Sequence, residues 1–110
     1  MANNFKNAIT ASVGTSPVTV YTASGVKSIV LQLDVNNISN SGVTVDVTIR
    51  DSSASVTGYL IKSGPVPVGG GLTVISDSRK VVLEAGDYIQ VSSSLAASVS
   101  VIASVLEGVA

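Results

Sequence analysis

The sequence predicts an all-β chain folded as a single-domain antiparallel β-sandwich of about eight or nine strands, jelly-roll or immunoglobulin-like in arrangement. Three observations carry this expectation. Apolar and polar residues alternate with a period of two in several segments, which sends successive side chains to opposite faces of a strand. These segments recur at roughly ten-residue spacing, divided by Gly, Pro, Asn and Ser, the pattern of a sandwich or barrel. No segment carries the periodicity of an amphipathic helix.

An early strand is expected over Ala8–Val13, preceded by Met1–Asn7 as a short mobile arm. Gly14-Thr15-Ser16 then turns the chain into PVTVYT, Pro17–Thr22. Leu31, Leu33 and Val35 alternate with Gln32, Asp34 and Asn36. Val43, Val45, Val47 and Ile49 alternate with Thr44, Asp46, Thr48 and Arg50. Between these two strands NNISNSG, Asn36–Gly42, reads as a hairpin loop, because Asn, Ser and Gly tolerate turn conformations.

Val56–Lys62 follows the polar turn DSSAS. Gly64-Pro65-Val66-Pro67 reads as a stiff crossing connection, since proline cannot serve a central strand. Gly69-Gly70-Gly71 is a flexible lead into Leu72–Ser76. Lys80–Leu83 and Tyr88–Ser92 read as a hairpin closed by Glu84-Ala85-Gly86-Asp87. There Gly86 supplies a conformation that a Cβ opposes, and Asp87 is placed to accept backbone N–H groups. Ser98–Leu106 closes the domain. Two strands, Val81–Leu83 and the last one, are apolar on both faces, which marks burial under a loop or a subunit interface.

The 110 residues make one domain, 1–110, long enough to bury roughly two-thirds of the unfolded surface. Cysteine and histidine are absent, which removes disulfides, thiolate metal sites and Ser-His or Cys-His catalysis. The net charge is -1 and no basic stripe exists, so nucleic acid and anionic membrane surfaces are not expected partners. The polar start MANNFKNAIT has no signal-peptide core, so synthesis in a cytoplasm is expected. Hydrophobic content is 45% while charged residues are only 12%, and the apolar mass is Val, Ile, Leu and Ala rather than aromatic. That balance fits a β-domain with Ser/Thr-rich outer faces or, as the favoured reading, aliphatic surface covered in part by neighbouring subunits.

The search for chemistry is short. Ser63 and Lys62 are adjacent on a strand and point to opposite faces, so they do not form a nucleophile–base pair. Gly25-Val26-Lys27-Ser28 lacks the upstream glycine and the helix of a phosphate loop. Asp51 with Asp77, and Asp87 with Glu84, are the carboxylate pairs weighed as cation ligands; without DxDxDG spacing they read as turn residues. Asn37-Ile38-Ser39 matches a glycosylation sequon and reads as a turn. Sugar binding would draw on Phe5, Tyr21, Tyr59 and Tyr88, with no Trp to stack on. No catalytic, cofactor-binding or metal-binding residue is assigned, no cofactor is expected, and the protein is not expected to be an enzyme.

Five pieces in order carry a resemblance: TSPVTVYTASGVKSIVLQLDVNN, VTVDVTI, GYLIKSGPVPVGGGLTVI, KVVLEAGDYIQV and VSVIASVLEG. Together, over Thr15–Glu107, the chain resembles small β-sandwich virion structural proteins of tailed bacteriophages. The resemblance implies a virion protein present in many copies and assembled in the host cytoplasm. A capsid decoration or cement protein that binds and stabilises the head is the first expectation. A neck, tail or fibre subunit, or a host-binding adhesin module, is the alternative. The implied partners are the major capsid protein or other virion subunits and further copies of this chain. The resemblance is structural and transfers no functional residue.

Overall fold

The computed structural model describes residues 4–76 and 78–108. Nine strands form among them: β1 (Asn4–Val13), β2 (Val18–Thr22), β3 (Ser28–Asn37), β4 (Val43–Asp51), β5 (Val56–Val66), β6 (Gly71–Ile75), β7 (Val81–Leu83), β8 (Tyr88–Ser93) and β9 (Val99–Glu107). They make two antiparallel sheets. Sheet A runs β1-β9-β3-β6, with β7 also on β3; sheet B runs β2-β8-β4-β5. All-β composition and the sandwich follow the sequence pattern.

The connectivity is that of a jelly roll. The chain passes back and forth between the sheets, so β1, β3, β6, β7 and β9 lie opposite β2, β4, β5 and β8. The element beside β3 is split: β6 pairs with Leu33–Asn36 and β7 with Ser28–Val30. An immunoglobulin-like order, in which most neighbours in sequence share a sheet, is not formed.

This corrects two readings. Asn36–Gly42 does not close a hairpin, because β3 belongs to sheet A and β4 to sheet B. Nor does Glu84–Asp87, because β7 pairs with β3 while β8 pairs with β2 and β4. Both segments are corners that carry the chain between layers about 10 Å apart. Strand–turn–strand grammar is the same for a hairpin and for a corner; long-range pairing decides between them. Of the connections, DSSAS is a true hairpin turn, joining β4 to β5.

Each corner is pinned by one buried side chain. At one end, Asn37 Nδ2 donates to the carbonyls of Ser41 (2.8 Å) and Val66 (3.1 Å). Its Oδ1 accepts the Ser39 N–H at 2.8 Å. At the other end, Asp87 accepts the N–H of Glu84 (3.0 Å) on one oxygen and of Ser52 (3.1 Å) on the other. Gly86 takes φ +95°, as the turn chemistry predicts, and its N–H donates to Ala23 O at 2.7 Å.

Two further differences concern strand ends. β1 begins at Asn4, so Asn4–Asn7 of the expected arm are sheet residues paired with Ser104–Glu107; Met1–Asn3 lie outside the described residues. Alternation in FKNAIT is weak because this part of β1 is largely exposed, with Ala8 and Thr10 half-buried and only Val13 of the strand fully buried. β5 extends through Pro65 to Val66, and Pro65 is tolerated because β5 is the edge of sheet B.

The core is a layer of valines and a few larger aliphatics. Val30, Leu33, Val35, Val101, Ala103 and Val105 of sheet A meet Val45, Val47, Ile89 and Val91 of sheet B, all essentially inaccessible. Branched side chains suit this site because they stand rigidly on a pleated surface.

Candidate functional site

The two outer faces of the sandwich differ in character. On sheet B the outward side chains of β4 are Thr44, Asp46, Thr48 and Arg50, flanked by Gln90 and Ser92 of β8 and Thr57 of β5. Gln90 Nε2 donates to Thr19 Oγ1 at 3.2 Å, and Arg50 Nη1 to Thr57 Oγ1 at 3.0 Å. This is a solvated face laced with hydrogen bonds.

The outer face of sheet A is apolar in its lower half. The registers align Phe5 of β1 with Leu106 of β9, Leu106 with Ile29 of β3, and Ile29 with Val82 of β7. One apolar side chain therefore stands on each of four adjacent strands, in a single row. Further along β1, Ile9 aligns with Ile102. Phe5 is 75% exposed, Ile9 66%, Val82 56% and Ile102 40%. These four alone leave on the order of 400 Å² of apolar side chain in water, the size of patch that marks an interaction site. Asp34, a carboxylate on this face, accepts from Gln32 Nε2 (2.8 Å) and Thr73 Oγ1 (2.8 Å).

The doubly apolar strands of the sequence account for this row. Val99, Val101, Ala103 and Val105 face the core, while Ile102 and Leu106 face out. In β7, Leu83 is buried and Val82 is exposed. No loop among the described residues covers the outward set.

At one end of the sandwich lies a cleft of about 480 Å³ lined by Lys27, Ile49, Asp51, Val56, Val82, Glu84 and Asp87. Its acidic residues, Asp51, Glu84 and Asp87, bring carboxylate oxygens within 4.8 Å of one another. The end of β4 supplies Asp51, and the β7–β8 corner supplies the other two. Sequence spacing pairs Glu84 with Asp87 but gives no sign that Asp51 joins them. Asp77, weighed as the partner of Asp51, lies outside the described residues.

Oxygens of Asp51 and Asp87 in this cluster are committed to turns. Asp51 Oδ1 accepts Ser53 Oγ–H (2.9 Å) and Ala54 N–H (3.1 Å). The Ala54 N–H, and next the Ser53 hydroxyl, hold the Asp51 carboxyl below the usual range. Ser52 Oγ donates to Gly86 O at 2.7 Å, tying the β4–β5 turn to the β7–β8 corner. The arrangement is a brace between two loops.

The four aromatic residues do not assemble a sugar platform. Tyr21 is buried, Phe5 is on sheet A, and Tyr59 is an exposed residue of β5 with the Lys62 ammonium 5.0 Å from its ring centre. Tyr88 is half-buried on β8. No helix among the described residues is long and apolar enough to cross a membrane. No protein-family model matches the chain, and no curated protein matches it.

Proposed function

We propose that this protein is a structural subunit of a bacteriophage virion, carried in many copies, and that it decorates and stabilises the assembled capsid. The reading starts from the ordered motifs between Thr15 and Glu107. The observation that carries it into three dimensions is the apolar row on the outer face of sheet A, exposed at Phe5 and Val82 and half-buried at Leu106 and Ile29, on a weakly charged domain. A cement protein needs such a surface. It adds binding free energy where capsid subunits meet, and modest affinity per copy is multiplied over many contacts. The jelly-roll sandwich is an architecture that capsid domains use, alongside lectins and cupins, so it supports the reading only as analogy. The role is one of binding, with the major capsid protein or another virion subunit as partner.

An antibody against the purified chain, used to label particles released from the source cells, tests this. Regular dense labelling of heads is the expected result. Labelling confined to one vertex or to the tail would move the protein to the neck, tail or fibre. Particles that carry none of it overturn the virion role, and glycan or cell binding by the free protein would then identify an adhesin.

A further inference from the structure

Every sheet has edges, and their protection in this protein is uneven. β2, β6 and β7 are short, at 5, 5 and 3 residues. β5 is long, but its register with β4 is broken twice, it carries Pro65, and Ser63 sits at φ +53°. Short length, bulges and proline are the devices that keep a sheet edge from pairing with another chain. Over its first part β1 has none of these three and carries one edge charge, Lys6, which lies beside Glu107 of its own chain. Its register with β9 runs unbroken from Asn4 to Thr10, and it contains no Gly or Pro. Its other side has no strand neighbour among the described residues.

The sequence of this edge is also self-complementary. An antiparallel pair of β1 strands related by a two-fold axis at Asn7 sets Asn7 opposite its own copy. Phe5 then faces Ile9 of the other chain, and Ile9 faces Phe5, on the outer surface. Aromatic and β-branched residues directly opposite each other form favourable cross-strand pairs. Lys6 falls opposite Ala8, so the one charge of the segment meets no like charge; its Nζ lies 4.0 Å from Glu107 of its own chain. Of the exposed apolar residues, Phe5 and Ile9 are the ones this edge contact covers, while Ile102 on β9 and Val82 on β7 stay on the outer surface. Near-neutral net charge removes bulk repulsion between copies.

We propose that β1 is a homodimer edge: two copies join β1 to β1 about Asn7, making one continuous sheet from the two A sheets in which Phe5–Ile9 pairs flank the central Asn7 pair on the outer surface. This deepens the multi-copy reading above and rests on it only for the expectation that copies of this chain meet. The chain has no cysteine, which makes the register directly testable.

In Asn7→Cys the two sulfurs belong to directly opposed residues, whose Cα atoms lie about 4.5–5.5 Å apart, within disulfide range. In Ile9→Cys the two copies are offset by four residues, about 13 Å along the strand. Oxidised glutathione should therefore convert Asn7→Cys, and not Ile9→Cys, to a cross-linked species of twice the 11.0 kDa chain. Light scattering on the unmodified protein should give the same doubled mass. Phe5→Lys and Ile9→Glu, both at exposed positions that leave the fold intact, should each weaken dimerisation at least about tenfold. The double variant should recover it, because each introduced ammonium then faces an introduced carboxylate of the other chain. A monomer at every concentration, equal cross-linking at both cysteines, or no recovery in the double variant overturns the proposal. Mass and cross-linking read the pairing alone, whereas particle labelling reads the virion role, so each fails separately.

Discussion

Tyr21 of β2 and Glu107 of β9 meet across the sandwich, the phenol donating to Oε2 while its oxygen also lies 2.9 Å from Ser28 Oγ. A bulge between Thr19 and Tyr21 turns both Val20 and Tyr21 inward, which is what brings the hydroxyl to this end of the core. The contact fastens sheet B to sheet A by a polar link inside an aliphatic layer.

That link makes stability depend on alkaline pH. Burial first, and the Glu107 carboxylate second, push the Tyr21 phenol up to about 12 from an ordinary value of 10.0. The folded state then holds the proton over a range in which the unfolded chain releases it. The Tyr21 contribution is complete below pH 10 and is lost as pH rises towards 12. Urea denaturation at pH 8 and pH 11 should show about 1.4 kcal/mol of loss in the native protein that Tyr21→Phe does not show. Equal losses in both proteins would remove this role for Tyr21.

The Asp87 brace predicts a large effect from one corner residue. Asp87→Ala leaves the N–H groups of Glu84 and Ser52 without their carboxylate acceptor. The expected cost is about 3 kcal/mol in chemical denaturation. Asp87→Asn, which keeps one acceptor oxygen, should cost less than half of that.

Asp51 gives the acid counterpart. Its carboxyl is held low by the Ala54 N–H and the Ser53 hydroxyl, so its contribution is present above pH 3.8 and lost as pH falls below it. Asp51→Asn should flatten the acid limb of a stability–pH curve by lowering stability at neutral pH, with the two proteins converging as pH falls below 3.8.

Gly86→Ala isolates backbone strain. The space around a Cβ is open, with Ser52 Cβ 3.8 Å away, but φ is +95°. A loss of about 1–2 kcal/mol is expected from conformation alone. Gly42→Ala, where space is also open and φ is not in the left-handed region, should cost far less in the same thermal melt.

Strand identity was written locally. The alternation of Val43–Arg50 and the turn residues Gly86 and Asp87 have their meaning within a few residues, and the structure uses them as that meaning requires. The apolar outer row was half legible, since Ile102 and Leu106 break the alternation of β9 on the wrong face. Its extension through Phe5, Ile29 and Val82 depended on registers between strands far apart in sequence. Likewise Asp51 reaches Asp87 only because β4 and β8 are neighbours. Periodicity determines which residues share a face of one strand, because successive side chains point opposite ways. Which strands share a sheet is decided by pairing and core burial summed over the whole chain. For that reason the tertiary structure alone turned two apparent hairpins into corners and left β1 as an open, self-complementary edge.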